Sequence, residues 1–113
     1  MRADEATLLD LAQACRRVAV FLGDCAEARF LTDEKTQSAV VHQILVIGEA
    51  VKRLSAGFRE SHPEIAWASI AGMRDTLIHE YDVVDLEEVW RTATGDLPAL
   101  LRWLEPRLPS QEE

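Results

Sequence analysis

A chain of 113 residues, 48% apolar and 28% charged, has the length of one compact domain and ample material for a core. Its formal net charge of −8 argues against a protein that coats nucleic acid without specificity, so any RNA site must cluster its few basic residues. The longest apolar runs, VAVFLG and ILVIG, are too short to cross a bilayer, and no membrane role is expected.

The N-terminus, MRADEATLLDLAQ, is polar and already helical in character, which predicts no signal peptide and a cytoplasmic protein. In the first helix Leu8, Leu11, Cys15, Val18 and Leu22 recur at spacings of three and four, the stripe that buries one helix face. Gly23 ends it. Cys15 falls on the core face and Cys25 just beyond the helix, roughly 15 Å away if the helix holds between them, too far for a disulfide. Two reduced thiols are therefore predicted. No CxxC spacing occurs, and His42, His62 and His79 are not spaced i, i+4, so no metal site is predicted.

Thr32 or Asp33 can cap the second helix, whose stripe is Val40, Ile44, Ile47, Val51 and Leu54. His42 reads as a partly buried polar residue. Lys52, Arg53 and Arg59 cluster near the end of this helix. They can serve the helix C-terminus, or Lys52 and Arg53 can contact RNA. Gly57 and the SHPE segment close the helix, and a short helical segment runs from Pro63 to Ile70. A third helix is expected from about Gly72 into RDTLIHEYDVVD, residues 74–85.

That stretch places Arg74, His79 and Tyr81 within eight positions. Histidine exchanges a proton near neutrality, and arginine grips phosphate in a charged fork. Together they can deprotonate an RNA 2′-hydroxyl and stabilise the attacked phosphate. On a straight helix His79 lies about 140° around the axis from Arg74. The groups converge only if the helix ends near His79 or a second copy brings its own motif alongside. Equally, Arg74 can pair with Asp75 or Glu80, His79 can serve a helix C-terminus, and Tyr81 can belong to the core.

Asp85 is the expected N-cap of the last helix, with Glu88 completing a capping box. That helix carries Leu86, Trp90, Ala93, Leu97, Leu100 and Leu104 as its stripe, and Pro98 should kink it. Trp67, Trp90 and Trp103 read as packing residues. No segment alternates with period two over a useful length. The expected architecture is all-α, a four-helix up-and-down bundle with an additional short helical segment. One domain is expected over residues 1–113, with 106–113 as a frayed tail.

The strings VIGEAVKRL (46–54), HPEIAWASIAGMRDTLIHEYDVVDLEEVW (62–90) and DLPALL (96–101) together resemble the HepT-like toxins of the HEPN superfamily, from about Leu8 to Leu104. The resemblance implies the toxin component of a type II or type VII-like toxin–antitoxin pair, acting as a metal-independent endoribonuclease without a cofactor. It implies a homodimer whose two Arg-x4-His-x-Tyr motifs face one cleft. It implies a minimal nucleotidyltransferase antitoxin that binds the toxin and transfers AMP from ATP to the motif tyrosine. On this chain Arg74 and His79 would be catalytic and Tyr81 the AMP acceptor. Many relatives have Asn after the motif arginine. Asp75 stands there instead, either orienting His79 or Arg74 or repelling the RNA backbone. Two other readings stay open: a non-catalytic helical docking or substrate partner of a nucleotidyltransferase, and a plain dimerisation module.

Overall fold

The computed structural model describes residues 2–79 and 83–109. Two long helices organise it: α1, Arg2–Leu22, and α3, Glu34–Arg53, joined through a short α2, Glu27–Phe30. Each long helix buries the face that the spacing marks. Leu8, Leu11, Cys15, Val18 and Leu22 of α1 meet Val40, Ile44, Ile47 and Val51 of α3, with Leu54 just past its end, in one core. Cys15 is buried and its thiol is pushed up to about 12 by that burial; it and Cys25 are free thiols.

Local chemistry sets the helix ends. Gly23 adopts φ 56, the left-handed conformation that terminates α1, and its N–H bonds the Ala19 carbonyl at 3.0 Å. Of the two candidate caps for α3, Asp33 is used: its carboxylate accepts from the Thr36 N–H at 3.2 Å and hydroxyl at 2.8 Å. Helix α3 ends at Arg53, where Leu54 turns extended, before the expected Gly57 stop. Ser55 then caps α4, Ala56–Ser61, so Gly57 lies inside a helix. Phe30 of α2 is fully buried and its ring lies 5.5 Å from that of Trp90.

The end of α3 lies beside the start of α1, so the two helices are antiparallel. Asp4, only 6% exposed, accepts from the Ser55 N–H at 2.9 Å and the Ser55 hydroxyl at 2.7 Å. Ser55 Oγ in turn accepts from the Phe58 N–H at 3.1 Å. One buried carboxylate thus ties the first turn of α1 to the α3–α4 corner.

Against α3 pack α5, Trp67–Ala71, within and just past the expected short segment, and α6, Met73–Leu77, which is all that forms of the expected third helix. An antiparallel pair of two-residue strands follows, β1, Ile78–His79, and β2, Val83–Val84; it is the only β structure among the described residues. The all-α class holds around this small hairpin. Helix α7, Leu86–Arg91, continues through a π-helical turn, Thr92–Asp96, into α8, Leu97–Leu104, which packs on α1.

The π turn is the answer to Pro98. Proline lacks the N–H of a regular helix and its ring crowds the preceding turn; the Leu97 N–H reaches back five residues to the Thr92 carbonyl, and Pro98 sits in the first turn of α8. The wider turn also shifts the buried face. Val89 is fully buried, Leu86 and Trp90 only half so, while Ala93, Leu97, Leu100 and Leu104 are buried as expected. Residues 105–107 form a 3-10 turn, with the Arg107 guanidinium 4.0 Å from the centre of the Trp103 ring. Residues 110–113 of the expected tail lie outside the described residues. No helix is long and apolar enough to cross a membrane among the described residues.

Asp4→Ala leaves the half-buried Ser55 N–H without its charged acceptor and should cost about 1–3 kcal/mol in urea unfolding at neutral pH. The two Ser55 hydrogen bonds hold the Asp4 carboxyl below its ordinary value of 3.8. Their stabilisation is therefore complete above that value and is lost as pH falls through the lowered native one. The gap between parent and variant should narrow below pH 3.8; a gap that stays constant into acid contradicts this assignment.

Candidate functional site

The helix that carries Arg74 stops early. Ile78 is extended, with φ −116 and ψ 115, and the chain enters β1. In a continuing helix the Leu77 carbonyl would accept from residue 81. Here it accepts from the Asp85 N–H at 2.8 Å, and the ladder pairs Ile78 with Val84 and His79 with Val83. The β-branched Ile78, Val83 and Val84 suit this extended pairing. Buried Leu77 anchors the exit in the core.

The motif is thereby divided between elements. Arg74 lies on α6 and the backbone of His79 on β1, so the two are not carried on one rigid helix. The side chain of His79, and Glu80, Tyr81 and Asp82 entirely, lie outside the described residues. Beyond the hairpin, Asp85 caps α7 by accepting from the Glu88 N–H at 3.1 Å. The second half of the expected capping box does not form. The Asp85 N–H is committed to Leu77, and the Glu88 carboxylate pairs with Arg91 at 2.7 Å.

The Arg74 side chain is 66% exposed, and its Nη1 stands 3.6 Å from the Asp75 carboxylate, itself 88% exposed. An ion pair so open to water contributes about 0–1 kcal/mol, so the guanidinium is easily exchanged to another anion. Of the two roles considered for Asp75 beside the motif, pairing with Arg74 has this geometry behind it.

Arg74 also lines a cleft of about 240 Å³ between α3 and the α5–α6 corner. Ile44, Leu45, Gly48, Glu49 and Lys52 of α3 form one wall, and Ala71 and Arg74 the other. Lys52 Nζ donates to Glu49 Oε2 at 3.0 Å along its own helix. Arg53, one residue and about 100° further round, turns away to Asp10 of α1 at 3.4 Å. Arg59 sits on α4, half-buried. Of the three cations grouped near the end of α3, only Lys52 shares a cleft with Arg74.

Gly48 and Glu49 lie within VIGEAVKRL, where neither carries a reactive pattern of its own. The available signal was a glycine inside a strongly periodic helix, which is costly unless something must approach closely. A Cβ at Gly48 would stand 3.4 Å from both the Ile70 and Ala71 carbonyl oxygens. A Cβ there would just reach contact, so a side chain longer than that of Ala would push α5 away from α3.

The other marked residues take packing roles or face water. His42 is exposed rather than partly buried. Trp67 and Trp103 pack with Phe58 and His62 in an aromatic cluster at the α4–α5–α8 corner. Trp103 Nε1 donates to Glu64 at 3.0 Å; the Glu64 backbone N–H, and after it this bond, holds that carboxyl below its ordinary range.

Residues 11–106 match the model of the family described as Ribonuclease HepT-like. The chain is 42% identical over 93 residues to a probable ribonuclease HepT of Thermococcus cleftensis, covering 82% of this chain and 84% of that protein. Two proteins of Methanocaldococcus jannaschii, each named as a candidate RNase, are 35% identical. One match spans 100 residues, 88% of this chain and 83% of the relative; the other spans 109, or 96% and 94%. No solved structure matches the chain significantly.

A bulky side chain at Gly48 should separate α5 from α3. Gly48→Leu is expected to destabilise by about 1–3 kcal/mol through overpacking. Gly48→Ala should cost less, because its Cβ only just touches the two carbonyls and Ala gains about 1 kcal/mol in helix propensity. Thermal unfolding followed by circular dichroism distinguishes them, and equal melting temperatures would refute the close-approach role.

Proposed function

The chain belongs to the Ribonuclease HepT-like family, and from that membership we propose that it is an endoribonuclease, the toxin of a toxin–antitoxin pair. Arg74 and His79 are its catalytic residues. What supports this assignment is the end of α6 at Leu77: His79 is not locked on a straight helix about 140° away from Arg74.

In the proposed reaction His79 takes the proton of an RNA 2′-hydroxyl. The 2′-oxygen attacks the adjacent phosphorus, the bond to the 5′-oxygen breaks, and the leaving oxygen takes up a proton. The products are a 2′,3′-cyclic phosphate and a 5′-hydroxyl. Arg74 leaves Asp75 and holds the non-bridging oxygens as charge builds on them. The nucleophile belongs to the substrate itself, so the chemistry requires no metal and discriminates RNA from DNA. Two copies of the chain, joined as a homodimer, present their motifs to one groove.

Regulation follows from the same residues. A minimal nucleotidyltransferase antitoxin binds the toxin and transfers AMP from ATP to the Tyr81 hydroxyl, releasing pyrophosphate. The added AMP carries a fixed anion and a bulky base that compete with RNA for the guanidinium.

A second reading is a non-catalytic docking partner of such a nucleotidyltransferase. The exposed Asp75 favours it, because a carboxylate beside Arg74 opposes an incoming phosphate.

Purified protein should cleave single-stranded RNA in EDTA and leave cyclic phosphate ends. His79→Ala should lose about 10²–10⁴-fold in rate and Arg74→Ala about 10²–10³-fold. Cleavage by His79→Ala at the parental rate removes that residue from the mechanism, and no cleavage by the parent favours the docking reading. Incubation with the partner and ATP should add AMP to the intact mass, and Tyr81→Phe should abolish the addition. Persistence of the added mass in that variant places the acceptor elsewhere.

A further inference from the structure

Several of the 12 Lys and Arg of this acidic chain are committed to partners. Among the described residues Arg16 pairs with Glu105, Arg53 with Asp10 and Arg91 with Glu88, while Arg107 covers Trp103. The cleft between α3 and the α5–α6 corner is different, because two cations from separate elements, Lys52 and Arg74, line it together. Each has a partner on its own element, Glu49 and Asp75, and both ion pairs are solvent-exposed. Such pairs are weak enough to yield to a phosphate. The walls between the cations are apolar, from Ile44, Leu45 and Ala71.

The size is also informative. At about 240 Å³ the cleft falls below the roughly 300–1,000 Å³ of pockets for drug-sized ligands. It suits one planar base and its sugar, not a folded oligonucleotide. The lack of a side chain at Gly48 keeps the α3 side of this space open while α5 closes on it.

We infer that this cleft is a nucleotide subsite, in which Lys52 binds the backbone phosphate of the RNA residue next to the one held by Arg74, and the base of that residue rests between Leu45 on the α3 wall and Ala71 on the opposite one. Glu49 is the internal partner that the phosphate displaces from Lys52. The identity of the strand as RNA rests on the ribonuclease reading; the cleft and its cations do not. A single strand is required, because only an unpaired base can leave its stack to enter so small a space.

The probe is a fluorescein-labelled single-stranded RNA oligonucleotide, titrated by anisotropy against the full chain carrying His79→Ala, so that it survives the measurement. Adding Lys52→Gln should weaken binding about tenfold and reduce the slope of log affinity against log salt by about 0.7, one phosphate contact on a single strand. Lys52→Arg should retain affinity. Lys35→Gln, which removes the same charge about 25 Å away along α3, should change neither. Glutamine is nearly as good a helix former as lysine, so these variants keep the fold. Unchanged affinity and slope in Lys52→Gln, or an equal loss in Lys35→Gln, overturns the subsite. The two readings fail separately. A parent that does not cleave RNA removes the nuclease and leaves the Lys52 binding term standing, whereas cleavage combined with Lys52-independent binding removes only the subsite.

Discussion

The arrangement depends on the close approach of α5 to α3 at Gly48. Hydrophobic burial pulls helices together but has no direction, so it tolerates sliding by an ångström or more. At Gly48 a Cβ would already reach contact with two carbonyl oxygens at 3.4 Å, so a longer side chain has little room and the approach is limited by atoms that cannot rotate away. From Gly48 the rest follows in order. Helix α5 is seated, Gly72 passes the chain into α6, and Arg74 comes to the rim of a cleft whose far wall is α3. A charged group can serve a reaction only when its support is held this closely.

The second constraint is electrostatic. With 12 Lys and Arg against 20 Asp and Glu, the protein offers a polyanion little general attraction. Affinity must come from local geometry, and most of the arginines given a partner in the structure spend their charge on scaffold ion pairs that hold helices to one another or stiffen single turns. The exposed Lys52–Glu49 and Arg74–Asp75 pairs differ in opening onto a common space. In the proposed subsite their weakness in water is an advantage, because an incoming phosphate would exchange one exposed ion pair for another at little cost.

The hairpin after α6 shows how a single hydrogen bond redirects a motif. Once the Asp85 N–H takes the Leu77 carbonyl, the helix has no acceptor with which to continue, and α7 receives its cap from the same aspartate's side chain. The residue thus ends one element and begins another. The π turn at Thr92–Asp96 is a comparable local solution, absorbing Pro98 without breaking the run from α7 to α8.

What the sequence determined alone was of short range: the buried faces of α1 and α3, the Gly23 stop, the Asp85 cap, the choice of Thr32 or Asp33 for the α3 cap, and the family to which the chain belongs. Those features repeat every three or four residues or act within one turn, so neighbouring letters contain them. The tertiary structure decided where α6 stops, that Lys52 rather than Arg53 faces Arg74, that Asp4 buries itself under Ser55, and that Val89 takes the core place expected of Trp90. Each of these is a choice between partners far apart in the chain or between adjacent positions on one helix. Periodicity marks a face, but only packing against a particular neighbour fixes which residue of that face meets which atom.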